Sequence, residues 1–364
     1  MVYRLVFENL VHRKVRTLLT TLAIGLGVTM MLSLVGLSRG MLEDQKQRAR
    51  GIGADILVLP PGSSAIGLSS APMTQKLLAF VGSQPHVKLA TGSVVYPLGG
   101  LKRITGIDYD NFTKMSDGFR FVSGGPFSKP DDIIIDEYYA HQNDLGVGDT
   151  IPMLDRDWKV CGVVEPGKLA RVIVPIDILQ ELTGTQERLS IVYAKLDDPS
   201  HLASTLDFLK EKLTGYQVYS LEEFTSQFSA SSLPELRIFT GVVIGLAVLF
   251  GFLLVFLSMH TAILERTREI GILKAVGASP SYIFGILARE TAVLAALGTI
   301  AGILFSFGTR ALIQFFIPAS MVQAIVPDWW PIAGAITLAA AWLGVVYPAW
   351  KAVRQDTLES LSYD

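Results

Sequence analysis

Four stretches of this chain run for about the width of a bilayer without a formal charge. Thr17 to Leu37 is 21 residues, Ile238 to Leu264 is 27, Thr291 to Thr309 is 19, and Pro331 to Trp350 is 20. His260 is the sole ionisable side chain in the second of them. At 1.5 Å rise per residue, about 20 residues cross a hydrocarbon core of about 30 Å. Helices buried in a soluble core are rarely so long, so the pattern predicts four membrane spans. After the first, they fall at about 238–264, 283–309 and 331–350. Arg13, Lys14 and Arg16 would also suit a signal peptide, but its apolar core is usually about 7–15 residues with a small-x-small site after it. Here 21 residues lead into "SRGMLEDQKQ", so an uncleaved anchor is expected.

Between the first and second spans the pattern changes to short alternating elements. "ADILVLPPG" (54–62) reads as a strand stopped by Pro-Pro-Gly, and "TQKLLAFVG" (74–82) as a helix. "GSVVYPL" and "LKRITGID" are strand-like. "DDIIIDEYYAHQNDL" reads as a strand and then a short helix. "LGVGDTIPML" and "WKVCGVVEPG" read as two strands about a turn at "DRD". Leu202, Leu206, Leu209 and Leu213 keep the 3.6-residue period of a helix that Gly215 could cap. Nothing in 40–236 is long and apolar enough to span. The expected fold is therefore an α-helical membrane protein with four spans in a 1+3 order and a mixed α/β domain between spans one and two. Its parts are 1–38, 39–237 and 238–364. Val2, Leu5, Val6 and Leu10 predict a short amphipathic helix before span one.

Composition agrees: half the residues are apolar, 18% are charged and the mean hydropathy is +0.42. Charge sets the orientation. His12, Arg13, Lys14 and Arg16 precede span one, Arg266, Arg268 and Lys274 lie between spans two and three, and Lys351 and Arg354 follow span four. The 317–330 segment has no Lys or Arg. By the positive-inside rule both termini are cytoplasmic and 38–237 is outside, although Arg39, Lys46, Arg48 and Arg50 oppose the rule locally. Residues 40–236 hold 18 Lys and Arg against 25 Asp and Glu, a net of −7, and the rest of the chain carries +5. An acidic outer domain over a basic inner face argues against nucleic acid as a partner. Cys161 is the single cysteine, so no intrachain disulfide forms.

Enzyme motifs are scarce. There is no H-E-x-x-H, G-x-S-x-G or C-x-x-C, and the five histidines are scattered. "GVVEPGKL" (162–169) matches the start of a P-loop but ends in Leu169, which has no hydroxyl for Mg²⁺. A turn between strands is the better reading, and no catalytic residue, cofactor or metal site is expected.

"ERTREIGILKAVGASPSYI" (265–283) is the exception in an apolar half of the chain. Gly277 suits a helix C′ position, Ser279 an N-cap and Pro280 an N1 position. The spacing predicts a separate helix over 265–276, with span three starting at Pro280. Glu265, Glu269, Ile272, Leu273 and Val276 would share one face, and Arg268, Gly271, Lys274 and Ala275 the other. Carboxylates among aliphatics suit docking to a basic, grooved cytoplasmic protein. A solvated loop whose arginines only set topology is the other reading.

The same stretch closely resembles the cytoplasmic loop of MacB/FtsX/LolC-type ABC transporter permeases. Residues 8–28, "GADILVLPPG" (53–62) and "YPAWKAVRQDTLESLSYD" (347–364) resemble that family in order. The resemblance implies a permease dimer, homomeric or heteromeric, with two cytoplasmic ATPase subunits that bind ATP and Mg²⁺. It implies that 265–276 is the coupling helix, with Glu265, Arg266, Arg268, Glu269, Ile272, Leu273, Val276 and Gly277 at the ATPase. It implies an extracytoplasmic domain that works on an adaptor, a lipoprotein or a hydrolase in the periplasm. The setting would be the bacterial cytoplasmic (inner) membrane. MacB itself carries its ATPase before the first span; with about sixteen residues there, a separate ATPase chain is expected here.

Arg289 and Glu290 lie within the helix of span three, where ionisable groups are costly and usually functional. Snorkelling at the inner interface is the alternative. Gly298 and Gly302 form a G-x-x-x-G, a spacing that lets helices approach closely. The expected function is transmission of ATPase work to the outer domain, for export or mechanical action outside. Two rivals stay open: an exporter of an amphiphile between the spans, and an extracytoplasmic signalling or scaffold protein.

Overall fold

The structure, a computed structural model, describes residues 14–63, 73–99, 102–228, 234–265, 267–317, 319 and 321–354. The amphipathic helix expected before span one lies outside them, as does Arg266. The chain divides into two compact units, one of Met1–Ser38, Pro234–Leu312 and Gln323–Asp364, the other of Arg39–Leu233 and Ile313–Val322.

In order, the elements are α1 (Lys14–Arg50), β1 (Ile56–Leu59), β2 (Met73–Thr74), α2 (Lys76–Gly82), β3 (Val87–Gly99), β4 (Lys102–Ile107), α3 (Tyr109–Ser116), β5 (Phe121–Gly124), β6 (Asp132–Asp136) and α4 (Glu137–Asn143). There follow β7 (Thr150–Met153), β8 (Arg156–Val164), β9 (Val172–Pro175), α5 (Ile176–Thr183), β10 (Arg188–Leu189) and β11 (Ile191–Leu196). A 3₁₀ turn (Pro199–His201) leads to α6 (Leu202–Lys212), β12 (Gln217–Ser220) and α7 (Leu221–Ser226). The remainder is helical: α8 (Pro234–Glu265), α9 (Thr267–Ala275), α10 (Pro280–Phe316) and α11 (Trp329–Arg354).

The second unit is built on one mixed sheet ordered β12-β1-β11-β3-β4-β9-β6-β8-β5, with β7 paired to β8. Most neighbours are antiparallel; β4–β9 and β6–β8 are parallel. Its central strands are apolar on both faces because both faces are covered. Alternate residues of a strand point to opposite sides. Accordingly Ile56, Val58, Ile133 and Ile135 enter one core cluster, while Leu57, Leu59 and Ile134 enter another. Trp158, with no solvent exposure, fills the first, and Phe112 and Met115 the second. Short helices are started by side chains that satisfy free amides. Asp108 caps α3, Asp136 caps α4, and Ser220 with Glu223 forms a capping box on α7. The α6 helix ends on Leu213 rather than on Gly215, which follows in a left-handed conformation at φ +93°.

The first unit is helical. Four of its helices are long and apolar enough to cross a membrane: Lys14–Arg50, Ile238–Glu265, Pro280–Phe316 and Trp329–Lys351. The helix of the first span runs on to Arg50, where the charged run after Leu37 could pass for a loop. In α10 the buried positions are Ile283, Ile286, Leu287, Glu290, Thr291, Leu294, Ala295, Gly298 and Gly302, a single stripe at helical spacing. This stripe meets α1. A Cβ on Gly298 would stand 2.4 Å from Ile24 Cγ2, and one on Gly302 would stand 2.5 Å from Val28 Cβ and 2.7 Å from the Gly25 carbonyl oxygen. From the other side, a Cβ on Gly25 would come within 3.3 Å of the Gly298 oxygen. The Thr29 hydroxyl donates to Gly25 O at 2.7 Å and also faces Gly302 O at 3.2 Å. The G-x-x-x-G therefore brings two backbones of the same chain together. Val255 and Met259 of α8 and Ala341 and Val345 of α11 share one buried cluster with Ile24 and the α10 stripe.

This seam predicts a position-specific cost. Overpacking a well-filled core costs about 1–3 kcal/mol. Gly302→Leu should lower the melting temperature of the detergent-solubilised chain by several degrees, whereas Gly308→Leu, where an added Cβ meets nothing within 4 Å, should leave it near wild type. Equal effects at the two positions would show that the seam does not hold α1 to α10.

Candidate functional site

The charged insert folds as α9, and local chemistry sets its limits. At its start the Thr267 hydroxyl donates to Leu264 O at 2.9 Å. At its end Ala278 N donates to Leu273 O at 2.9 Å, and Gly277 adopts φ +93°, the left-handed stop that glycine accommodates. Tyr282 N donates to Ser279 Oγ at 3.3 Å, and Pro280 is the first residue of α10. Ile270 and Gly271 face inward, Ile270 within the cluster that holds Ile263 and Ile283. Ile272 (49% exposed), Leu273 (37%) and Val276 (84%) face outward. The side chains of Arg268 and Glu269 lie outside the described residues.

Glu265 also faces a cation of another helix. It is the last residue of α8, and its carboxylate lies 3.7 Å from Arg16 Nη1. Arg16 Nη2 lies 3.2 Å from Glu290 Oε1. Glu290 has no solvent exposure at all, whereas its neighbour Arg289 is exposed. The two adjacent charges thus part company: Arg289 reaches outward, and Glu290 points into the bundle, where a carboxylate needs a cation and hydrogen bonds to persist. One guanidinium at the beginning of α1 consequently meets carboxylates from α8 and α10. This grouping links Glu290, Glu265 and the start of span one. Gly298 and Gly302 continue the Glu290 stripe along α10.

A second charged cluster, in the α/β unit, had no signature in the periodicity. Arg171 donates to Asp136 Oδ2 at 2.7 Å, to Asp44 Oδ2 at 3.1 Å and to Ala319 O at 2.8 Å, and lies 4.8 Å from the ring centre of Tyr138. Asp44 also accepts from Arg48, one turn further on. Asp136 serves twice, as this partner and as the α4 cap; burial pushes its carboxyl up against the pull of Arg171. Of these groups, Asp44, Arg48, Arg171 and Ala319 border a cavity of about 160 Å³ whose wall also holds Arg103, Leu98, Leu169, Phe224 and Phe228. Burial pushes the Arg103 guanidinium down. The visible signals were weak ones: Asp44 and Arg48 at i,i+4, and a lone arginine at the head of the apolar run "VIVP".

The ion cluster of the bundle makes a prediction that separates pairing from burial. Removing one member of a buried pair costs about 3–5 kcal/mol because a charge is stranded. Arg16→Met should therefore destabilise the solubilised chain strongly, and the Arg16→Met/Glu290→Gln double variant should recover much of the loss. Thermal melts of both singles and the double give the coupling. Additive losses would show that Arg16 does not compensate Glu290.

Comparison with known proteins bears out the architecture. The family described as MacB-like periplasmic core domain matches residues 17–211, and the one described as FtsX-like permease C-terminal matches 241–357. An uncharacterised ABC transporter permease of Bacillus subtilis strain 168, YvrN, is 23% identical over 99% of this chain and 99% of its own length. An uncharacterised ABC transporter permease of Methanocaldococcus jannaschii, MJ1507, is 22% identical over 98% of this chain and 96% of its own. The macrolide export ATP-binding/permease protein MacB of Burkholderia cenocepacia is 28% identical over 99% of this chain, which spans 57% of it. The four apolar helices and the α/β unit between the first and second are thus those of a membrane protein with an extracytoplasmic domain. The chain belongs to the MacB/FtsX-type family of ABC transporter permeases.

Proposed function

We propose that this chain is the permease subunit of a MacB-like ABC machine and that α9 is its coupling helix. The observation that carries this reading is the outward face of α9, where Ile272, Leu273 and Val276 stand exposed on a nine-residue helix between two spans. Solvated loops seldom expose three large aliphatics together; a docking face does. Basic residues flank the same segment, which favours the cytoplasm for it. The ATPase partner binds ATP and Mg²⁺ in a chain of its own; relatives matched over nearly their full length carry the name permease alone. Two such permeases, alike or related, would pair in the bacterial cytoplasmic membrane, both termini inside. ATP-driven closure of the ATPases would move α9, then the spans, then the extracytoplasmic domain, which acts on a substrate or an external protein.

Placing charges on that face should separate the ATPase. Burying an uncompensated charge at an interface costs about 2–5 kcal/mol, tens-fold or more in affinity. The Ile272→Glu/Val276→Glu chain, captured from native membranes, should lose the Walker-motif ATPase that wild type retains, together with permease-dependent ATP hydrolysis. Val122→Glu, on an exposed strand of the α/β unit, should keep both. Wild-type retention by the double variant would remove α9 from the coupling role.

Topology can be checked on the native background because burial pushes the Cys161 thiol up to about 12. A raised thiol pKa leaves less thiolate, so at pH 8 Cys161 should react roughly a thousandfold more slowly with maleimide than an exposed cysteine. In intact cells an impermeant maleimide should label Asp207→Cys and spare Ala275→Cys. Labelling of position 275 from outside would reverse the proposed orientation.

A further inference from the structure

Two histidines and an aspartate from separate parts of the α/β unit meet on its surface. His86 precedes β3, Asp197 follows β11, and His201 closes the 3₁₀ turn that begins at Pro199. The β3–β11 pairing sets the first two side by side: Leu196 is opposite Val87, and Asp197 N donates to His86 O at 3.0 Å. Asp198 caps the 3₁₀ turn by accepting from Ser200 N, which brings His201 back over the pair. His86 is held at φ +66°, a conformation that most side chains avoid. Among the described residues, this is the one group of three such side chains whose ligand atoms all lie within 4.8 Å of one another.

The distances are long for hydrogen bonds and close to those between ligands of one metal ion, each imidazole facing a different oxygen of the carboxylate. His86 Nδ1 is 3.4 Å from Asp197 Oδ2, and His201 Nδ1 is 3.5 Å from Asp197 Oδ1. Hydrogen bonds of this kind centre near about 2.9 Å. The edge of a tetrahedron with bonds of about 2.1 Å, the length of Zn–N and Zn–O bonds, is about 3.4 Å. His201 Nδ1 is buried and turned towards the carboxylate. The imidazoles stack at 3.6 Å between centroids.

We propose that His86, Asp197 and His201 form a binding site for a divalent first-row transition-metal ion, with Zn²⁺ the best fit. Two imidazoles and a carboxylate suit Zn²⁺, and Ca²⁺ or Mg²⁺ prefer oxygen alone. Three protein ligands leave a fourth position for water or for a donor from another molecule. All three residues are partly exposed, so that position faces solvent. The bound ion clamps the start of β3 to the turn after β11. The site shares no residue with α9 or the Arg16 cluster, so it holds whether or not the coupling proposal does.

The test uses the full chain in detergent, without a polyhistidine tag, dialysed against ZnCl₂ or CaCl₂. Wild type should retain one equivalent of zinc, no calcium, and melt at a higher temperature with zinc than without. His201→Ala and Asp197→Asn should each weaken zinc retention by about tenfold or more, since even loss of an outer partner of a metal ligand costs about 10–100-fold. His86→Asn should do the same while keeping the left-handed backbone, which asparagine tolerates. A variant that melts below wild type in the absence of metal is replaced by His201→Gln, which keeps the side chain's bulk. Zinc uptake unchanged in these variants, or no uptake by wild type, would overturn the site.

Discussion

A carboxylate with no access to water sits inside a bundle of apolar helices, and the arrangement of that bundle follows from keeping it paired. Glu290 lies on the same stripe of α10 as Gly298 and Gly302, so the face that carries the charge also carries the close approach to α1. Arg16 comes from the beginning of α1 and meets Glu290 at 3.2 Å. The glycine seam begins about two turns further along the same pair of helices, where Gly25 backs onto Gly298 and Gly302. Sterics at one level and electrostatics at the other therefore select the same helix pair and the same rotation of each helix. A slip of one residue would turn Glu290 by about 100° out of reach of its cation and would drive Val28 and Ile24 against side chains rather than against hydrogen.

The α/β unit depends on a different constraint, the covering of a sheet on both faces. Its continuous apolar strands, such as Ile133–Ile135, were legible as strands because they are short and bounded by turns. Their partners were not. Residues buried on both sides show no alternation, and alternation is what ties a strand to one face. Pairing of β1 with β12 joins positions about 160 residues apart, and nothing local in "QVYS" announces it. Punctuation was easier to read than pairing. The β7–β8 hairpin and the stop at Gly277 were visible from the residues that make turns and caps, because those motifs act within a few positions of themselves.

The same division runs through the candidate residues. The G-x-x-x-G spacing said that something approaches span three closely, but not which helix; the structure makes it span one of the same chain. Arg289 and Glu290 looked alike in sequence as neighbours at a membrane boundary, yet adjacent helical positions differ by about 100° and face different surroundings. Glu265 was assigned to the docking face by its period with Glu269. Its carboxylate also lies 3.7 Å from Arg16 Nη1, a relation between α8 and α1 that the period does not announce. Arg171 and Asp44 are joined across 127 residues, a relation that a single sequence does not reveal.

The placement of Glu265 bears on how α9 would work. Among the described residues, the outward face of α9 carries the aliphatic side chains of Ile272, Leu273 and Val276. Fully burying one such side chain contributes about 1.5–3 kcal/mol, so three provide several kcal/mol before the cost of association is subtracted. That suits a contact made and remade at each cycle better than a permanent one, and a second α9 in a dimer would raise the effective concentration of the ATPase pair. On the proposed reading, force leaves α9 through two short routes. One runs back through Thr267 and Leu264 into α8, beside Glu265, and the other runs forward through Ser279 and Pro280 into α10, towards Glu290. Both carboxylates end on Arg16. On that reading a tilt of α9 would load a guanidinium that belongs to span one, the helix that runs on into the extracytoplasmic domain.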